Sequence, residues 1–218
     1  MTQQVSLVWS TPYADQMLAK IARVSNPANQ DSEEISGLIR YMIRHNHWSP
    51  FEMVSVCLEI NTTRDIGRQI LRHRSFSFQE FSQRYADASL LGDDMIEREC
   101  RMQDEKNRQN SIETNDALAS SAWSQRQAET WAFATERYRA ALASGVAKEV
   151  ARAILPEGLT PSRMYMAGTL RSWMHYLNVR LDPSTQKEHR AIAEQALTVL
   201  RDVAPVTMDA IMDLIEGK

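Results

Sequence analysis

The residue pattern predicts an α+β fold, mostly helical with a small mixed sheet. Three observations carry that expectation: several stretches with helical apolar periodicity, two short strand-like stretches, and no repeating strand–helix–strand rhythm. With 218 residues, 43% of them apolar, the chain can bury one good core. Residues 1–218 are expected to form a single domain.

Taken in order, Thr11 to Val24 is expected as the first helix, closed by the turn-forming Ser25-Asn26-Pro27. Asp31 to His45 reads as the second, with Ile35, Leu38, Ile39 and Met42 on one face. Pro50 then breaks the chain. Val54, Val56, Leu58 and Ile60 alternate with Ser55, Cys57 and Glu59, the period of a half-buried strand. Thr62 or Thr63 can cap the next helix, which turns Ile66, Ile70 and Leu71 inward. Residues 86–119 are polar and mixed, and no structure is forced on all of them. Trp123 to Ala143 reads as a long helix stopped by Gly145, which suits the left-handed position after a helix end. A shorter helix, Ala147 to Leu155, ends at Pro156; Arg163 to Ala167 is strand-like. Thr169 caps a helix through Trp173 and Tyr176 towards Arg180, and a last long helix from about Gln186 to Val203 closes the core.

Composition excludes several classes. The 25 basic against 28 acidic residues give a net charge of −3, so no global field points to nucleic acid or a membrane surface. The start, Met-Thr-Gln-Gln-Val-Ser, lacks a secretory signal, and no stretch approaches the roughly 18 apolar residues of a membrane span. Cys57 and Cys100 lie far apart without a partner motif, which argues for a reducing, cytoplasmic setting without disulfides or cysteine-based zinc.

Against that background Arg64 to Tyr85 stands out, with five arginines against Asp65 and Glu80, a local charge of +3. Guanidinium forks match phosphate oxygens and do not deprotonate, so the segment reads as a site for a phosphorylated small molecule. The alternative is a solvated basic loop whose phenylalanines pack on the core. The seven glycines are isolated, so neither a Rossmann fingerprint nor a P-loop exists, and a nucleotide would have to be held by arginines and helix ends. A second basic set comprises Arg152, Arg171 and Arg180, with His175 one turn beyond Arg171. His45 and His47 with Glu52 lack a third ligand at a recognised spacing, and no metal is expected.

Arg72, His73, Arg74, Ser77, Glu80, Ser82, Arg84 and Tyr85 resemble the signature of the flavin-dependent thymidylate synthases: Arg-His-Arg, seven residues, then Ser, with Glu, Arg and Tyr at fixed offsets. Ala22–Ser25, His47–Glu52, Glu149–Arg152 and Leu177–Arg180 resemble family segments in the same order, so the likeness spans nearly the whole chain. Three positions depart from the family pattern: Gln79 and His175 where Asn is usual, and Ser49 where Thr is usual. Gln79 and Ser49 keep hydrogen-bonding capacity; His175 does not replace Asn in kind.

The resemblance implies a methyltransferase that converts dUMP to dTMP in a homotetramer, with FAD where subunits meet. It implies methylenetetrahydrofolate as carbon donor and NADPH as the source that recharges the flavin. By the same similarity His47, Ser49, Arg72, His73, Arg74, Glu80, Thr169, Leu170, Arg171 and His175 would contact the cofactor. Gln69, Arg72, Glu80, Ser82, Gln83, Arg84, Arg152 and Arg180 would bind dUMP, with Arg84 and Arg152 suited to its phosphate. Arg180 is the expected activating residue: an arginine cannot act as a base, but it can stabilise negative charge developing near N3 of the uracil and so make C5 more nucleophilic. Ser82 has no evident base beside it in sequence and reads as a ligand to dUMP. Two other readings stay open at this point: a flavoprotein of different specificity on the same scaffold, and a nucleic-acid-binding module, against which the net charge argues.

Overall fold

The computed structural model describes residues 3–217. The chain begins with strand β1 (Gln4–Ser10), helices α1 (Ala14–Ala22) and α2 (Ser36–Arg44), strand β2 (Ser55–Thr63) and helix α3 (Arg64–Ile70). Strand β3 (Ser77–Glu80), a ribbon of β4 (Arg101–Gln103) and β5 (Ser111–Glu113), and the long helix α4 (Ala117–Ala143) follow. After the short α5 (Lys148–Ala151) come strand β6 (Pro161–Thr169) and helices α6 (Leu170–Arg180), α7 (Lys187–Val203) and α8 (Pro205–Glu216). The α+β class is the one expected. Among the described residues no helix is long and apolar enough to cross a membrane.

Two compact units interleave along the chain. The first is built mainly from Asn61–Arg72 and Gln79–Met164, the second from Val5–Ile60, His73–Phe78 and the chain from Tyr165 onward. The main sheet has the strand order β1-β2-β6-β3. In the first unit Arg64 N–H donates to Thr160 O and Phe81 N–H to Arg163 O; in the second Leu170 N–H donates to Val54 O and Thr11 N–H to Ser55 O. Each bond joins the end of one strand to the start of its neighbour, so the pairing is antiparallel rather than mixed.

The first unit's helix α4 runs six residues earlier than its apolar pattern suggests, because the Asp116 carboxylate accepts from the amides of Leu118 and Ala119 at 2.9 and 3.0 Å. Gly145 takes the left-handed conformation foreseen for it, φ 89°. Tyr138, Ala151 and Leu155 form an apolar cluster under α4. The polar stretch after residue 86 is tied to α4 by side chains: the indoles of Trp123 and Trp131 donate to Arg98 O and Asp93 O, each at 2.9 Å. In α3, Ile66 and Ile70 are buried as expected, whereas Leu71 lies past the helix end and is 36% exposed. Thr63 is the cap residue without a capping side-chain bond, and Thr62 belongs to β2.

The second unit packs α2, α6 and α7 against α8. Its core holds Leu18, Ile39, Phe51, Leu58, Trp173, Tyr176 and Ile192, all essentially inaccessible. The first helix starts at Ala14 rather than Thr11, since Thr11 continues β1 by bonding Ser55 with both its amide and its hydroxyl oxygen. The second starts at Ser36 rather than Asp31. Helix α7 is not the last. Pro205 opens α8, whose first amides, Val206 and Thr207, donate to the buried Asp15 carboxylate of α1 at 2.8 and 3.2 Å.

Gly168 shows how tightly this unit is built. A Cβ there would lie 2.4 Å from Cδ1 of Phe76, and that ring is pinned edge-on against Trp173, centroids 4.8 Å apart. Gly168→Ala is therefore expected to destabilise by about 1–3 kcal/mol, the usual scale of overpacking. Its urea midpoint should fall with an unchanged slope, and Phe76→Leu in the same chain should recover part of the loss.

Candidate active site

In the first unit the end of β3 and the turn after it carry Glu80, Ser82, Gln83 and Arg84 of the signature. Gly67 on α3 faces the Glu80 carboxylate: a Cβ on that glycine would stand in ordinary contact, 3.5 Å from Oε1. Glu80 accepts from the Ser162 hydroxyl at 2.8 Å and lies 3.6 Å from the Arg64 guanidinium. The Ser82 carbonyl accepts from Tyr85 and Ala86 amides, which folds a turn that exposes Ser82 and Arg84 but buries Gln83. Gln83 is 2% exposed and its Nε2 has no hydrogen-bond partner, a buried donor that a ligand would satisfy. Arg84 and Arg152, 68 positions apart, meet at one residue: Arg84 Nε lies 3.2 Å from the Glu149 carboxylate and Arg152 Nε 3.4 Å from its carbonyl. Gln69 and Arg72 stand at the C-terminal end of α3, where Arg72 N–H donates to Gln69 O.

The second unit holds a cavity of about 670 Å³, within the usual range for small-molecule sites. Its polar lining includes Arg44, Asn46, Glu52, Ser75, Arg171 and His175; Ile43, Met174, Ile211 and Leu214 supply apolar wall. Arg171 is held by an ion pair to Glu52. The cavity borders the start of α6, where Thr169 Oγ1 accepts from Ser172 N–H and the Ser172 hydroxyl donates to Ser75 O at 3.1 Å. Positive partial charge at that helix start adds to the cations. Leu170 is fully buried with its amide committed to Val54 O, so it anchors the helix rather than facing the cavity. His47 and Ser49 are exposed beside the lining residues Asn46 and Trp48.

At the far end of α6, Arg180 Nε donates to His73 Nε2 at 2.8 Å. His73 is boxed by Tyr176 and His189, ring centroids 4.9 and 6.3 Å away. Burial, then the Arg180 cation and His175, push the His73 pKa down to about 4. Burial, Arg180 and His73 push His189 down to about 3. Arg74 is exposed, and no described side chain bonds it.

The chain has relatives among known proteins. The model of the thymidylate synthase complementing protein family matches residues 6–206. A flavin-dependent thymidylate synthase of Synechocystis sp. is 48% identical over 198 residues, covering 89% of this chain and 88% of that protein.

This chain belongs to the flavin-dependent thymidylate synthase family. A probable flavin-dependent thymidylate synthase of Paramecium bursaria Chlorella virus 1 is 47% identical over 181 residues, 83% of this chain and 82% of that protein. In structure the chain resembles the UMP/dUMP methylase PolB of Streptomyces cacaoi, solved with 5-bromo-dUMP, with a TM-score of 0.84 and 31% identity across 96% of this chain and 94% of that one.

The family signature is thus divided between the units: Arg72, Glu80, Ser82, Gln83 and Arg84 fall in the first, with Gln69 and Arg152, and His73 and Arg74 fall in the second, with Thr169, Arg171, His175 and Arg180. Sequence reading missed Arg44 and the α8 side chains of the cavity, and it missed His189. The last had a signal, since His189 lies three and four positions before Ile192 and Ala193 on the apolar face of α7.

The neutral histidines set a pH dependence. In the unfolded chain they take up protons near 6.5, whereas the fold resists protonation until about 4 and 3. The unfolded state binds more protons in that window, so stability falls as pH drops from about 6.5 towards 4, and is unaffected by these groups above it. His189→Gln should flatten that fall in urea titrations; parallel curves for the two proteins would contradict it.

Proposed function

We propose that this flavin-dependent thymidylate synthase makes dTMP from dUMP, with methylenetetrahydrofolate as the carbon donor, FAD as the flavin and NADPH as the reductant. The observation that carries the substrate reading is the meeting of Arg84 and Arg152 at Glu149. Two permanently charged forks gathered on one residue suit a phosphate dianion, which would replace an exposed and therefore weak ion pair. Gln83, with its unsatisfied buried amide, and Glu80, steadied by Ser162, are suited to hold the rest of the nucleotide.

The cavity beside α6 fits a flavin nucleotide in its donor set: Arg44, Arg171, His175 and a helix start for anionic groups, apolar side chains for a ring. Bound flavin supplies the hydride in reduced form. Ser49, Thr169, Arg171 and His175 would hold it with His47, Arg72, His73, Arg74 and Glu80. Arg180 would face the uracil and draw negative charge onto the ring, raising nucleophilicity at C5. No thiolate is required. Cys57 is buried and its thiol pKa is raised by burial, which disfavours the nucleophilic form. Ser82 is exposed and no described base bonds its hydroxyl, which supports a role as a ligand.

Arg180→Ala is expected to lower turnover by roughly 10²–10³ with flavin content largely kept, the scale of losing one preorganised charge. Near-normal dTMP formation by that variant would remove Arg180 from the reaction. UMP assayed beside dUMP would show whether the ribonucleotide is accepted too.

We read the assembly as a homotetramer working in the cytoplasm, of the host if the source is a virus. What supports the tetramer is α4: of its 27 residues only Gln127, Ala134 and Tyr138 are buried, while Leu118 and Phe133 are 84% and 60% exposed. Apolar side chains on so long an exposed helix suit a closed contact with further copies. Light scattering should give about four times 24.9 kDa; a fully active monomer would contradict this.

A further inference from the structure

The geometry points to His73 as the residue that positions Arg180, through the 2.8 Å hydrogen bond from Arg180 Nε to His73 Nε2. The inference rests on the role proposed above for Arg180 and assigns His73 a task on the chain itself, acting through the guanidinium. An arginine Nε–H can only donate. His73 Nε2 must therefore carry a lone pair, which puts the imidazole proton on Nδ1.

The acceptor is held in place on several sides. Tyr176 meets the ring at an interplanar angle of 70°, His189 at 90° and Phe76 at 86°, and Phe76 is itself fixed against Trp173. A planar guanidinium bonded through Nε to an acceptor that cannot turn has its plane set. Its two terminal nitrogens are then left for a ligand, and no described side chain bonds them. The titratable groups around the imidazole are Arg180, His175 and Tyr176 on α6, His189 on α7 and Arg74 on its own segment. A proton added to His73 would abolish the acceptor and set two cations against each other, and burial beside Arg180 keeps the ring neutral down to about pH 4.

The test is a double-mutant cycle on dTMP turnover per bound flavin. His73→Phe should lower turnover on the order of 10²-fold, the cost of misplacing a reacting group, with a smaller change in KM for dUMP. His73→Gln, which keeps an acceptor oxygen, should recover most of it. In the Arg180→Ala background His73→Phe should lower turnover per bound flavin far less than it does in the unaltered chain. Additive losses would overturn the pairing while leaving the role of Arg180 intact. An Arg180→Ala chain with normal turnover would overturn both. Nitrogen NMR of labelled histidine in the unaltered protein decides the matter without any variant: His73 protonated on Nδ1 supports the assignment, and a proton on Nε2 overturns it.

Discussion

His73 accepts a hydrogen bond from a permanent cation at a half-buried position, and much of the second unit is arranged around that demand. The ring has to stay neutral, and its described neighbours are the rings of Tyr176, His189 and Phe76 with the Arg180 cation. Phe76 in turn needs a residue without a side chain at Gly168, and Trp173 behind it is tied to Val56 O at 3.2 Å. The chain from His73 to Phe78 is thereby fastened to α6 at both ends of that helix: Arg180 bonds His73, and Ser172 bonds Ser75. The irregular residues His73 to Phe76 are thus tied down just before β3 begins at Ser77.

The remaining cations are handled differently. Arg171 rests on Glu52, Arg84 on Glu149, and Arg64 near Glu80. The first two pairs are about half exposed, where each contributes little to stability. Such carboxylates keep the guanidinium groups apart and oriented, and they yield readily to a better anion. Rigid placement of Arg180 by a neutral partner and loose placement of the phosphate-suited arginines by exchangeable ones are two solutions to one problem, that of gathering positive charge in a chain of net charge −3.

Helices with a clear apolar face were legible in sequence, as were the Thr169 cap and the Gly145 stop. What was hidden depended on distant partners. Helix α8 is capped by Asp15 from nearly two hundred positions away, and Pro205, easily read as a terminator, begins it. Strand β1 exposes Leu7, Val8 and Trp9, so no clean inward–outward alternation marks it. The stretch after residue 86 has no apolar period because backbone carbonyls bonded by Trp123, Trp131 and Gln127 hold it in place. Within the site, the signature residues were recognisable by type and order. That Arg84 pairs with Glu149, Arg171 with Glu52 and His73 with His189 was not, because pairing across the fold leaves no local trace.

In the proposed reaction reduced flavin, and not the folate ring, delivers the hydride that completes the methyl group of dTMP. The folate product of a single turnover decides it. With the flavin reduced beforehand and dUMP and methylenetetrahydrofolate added without oxygen, the one-carbon unit should leave tetrahydrofolate behind in step with dTMP. Dihydrofolate formed in that same ratio would mean that the folate was the reductant, and would contradict the account.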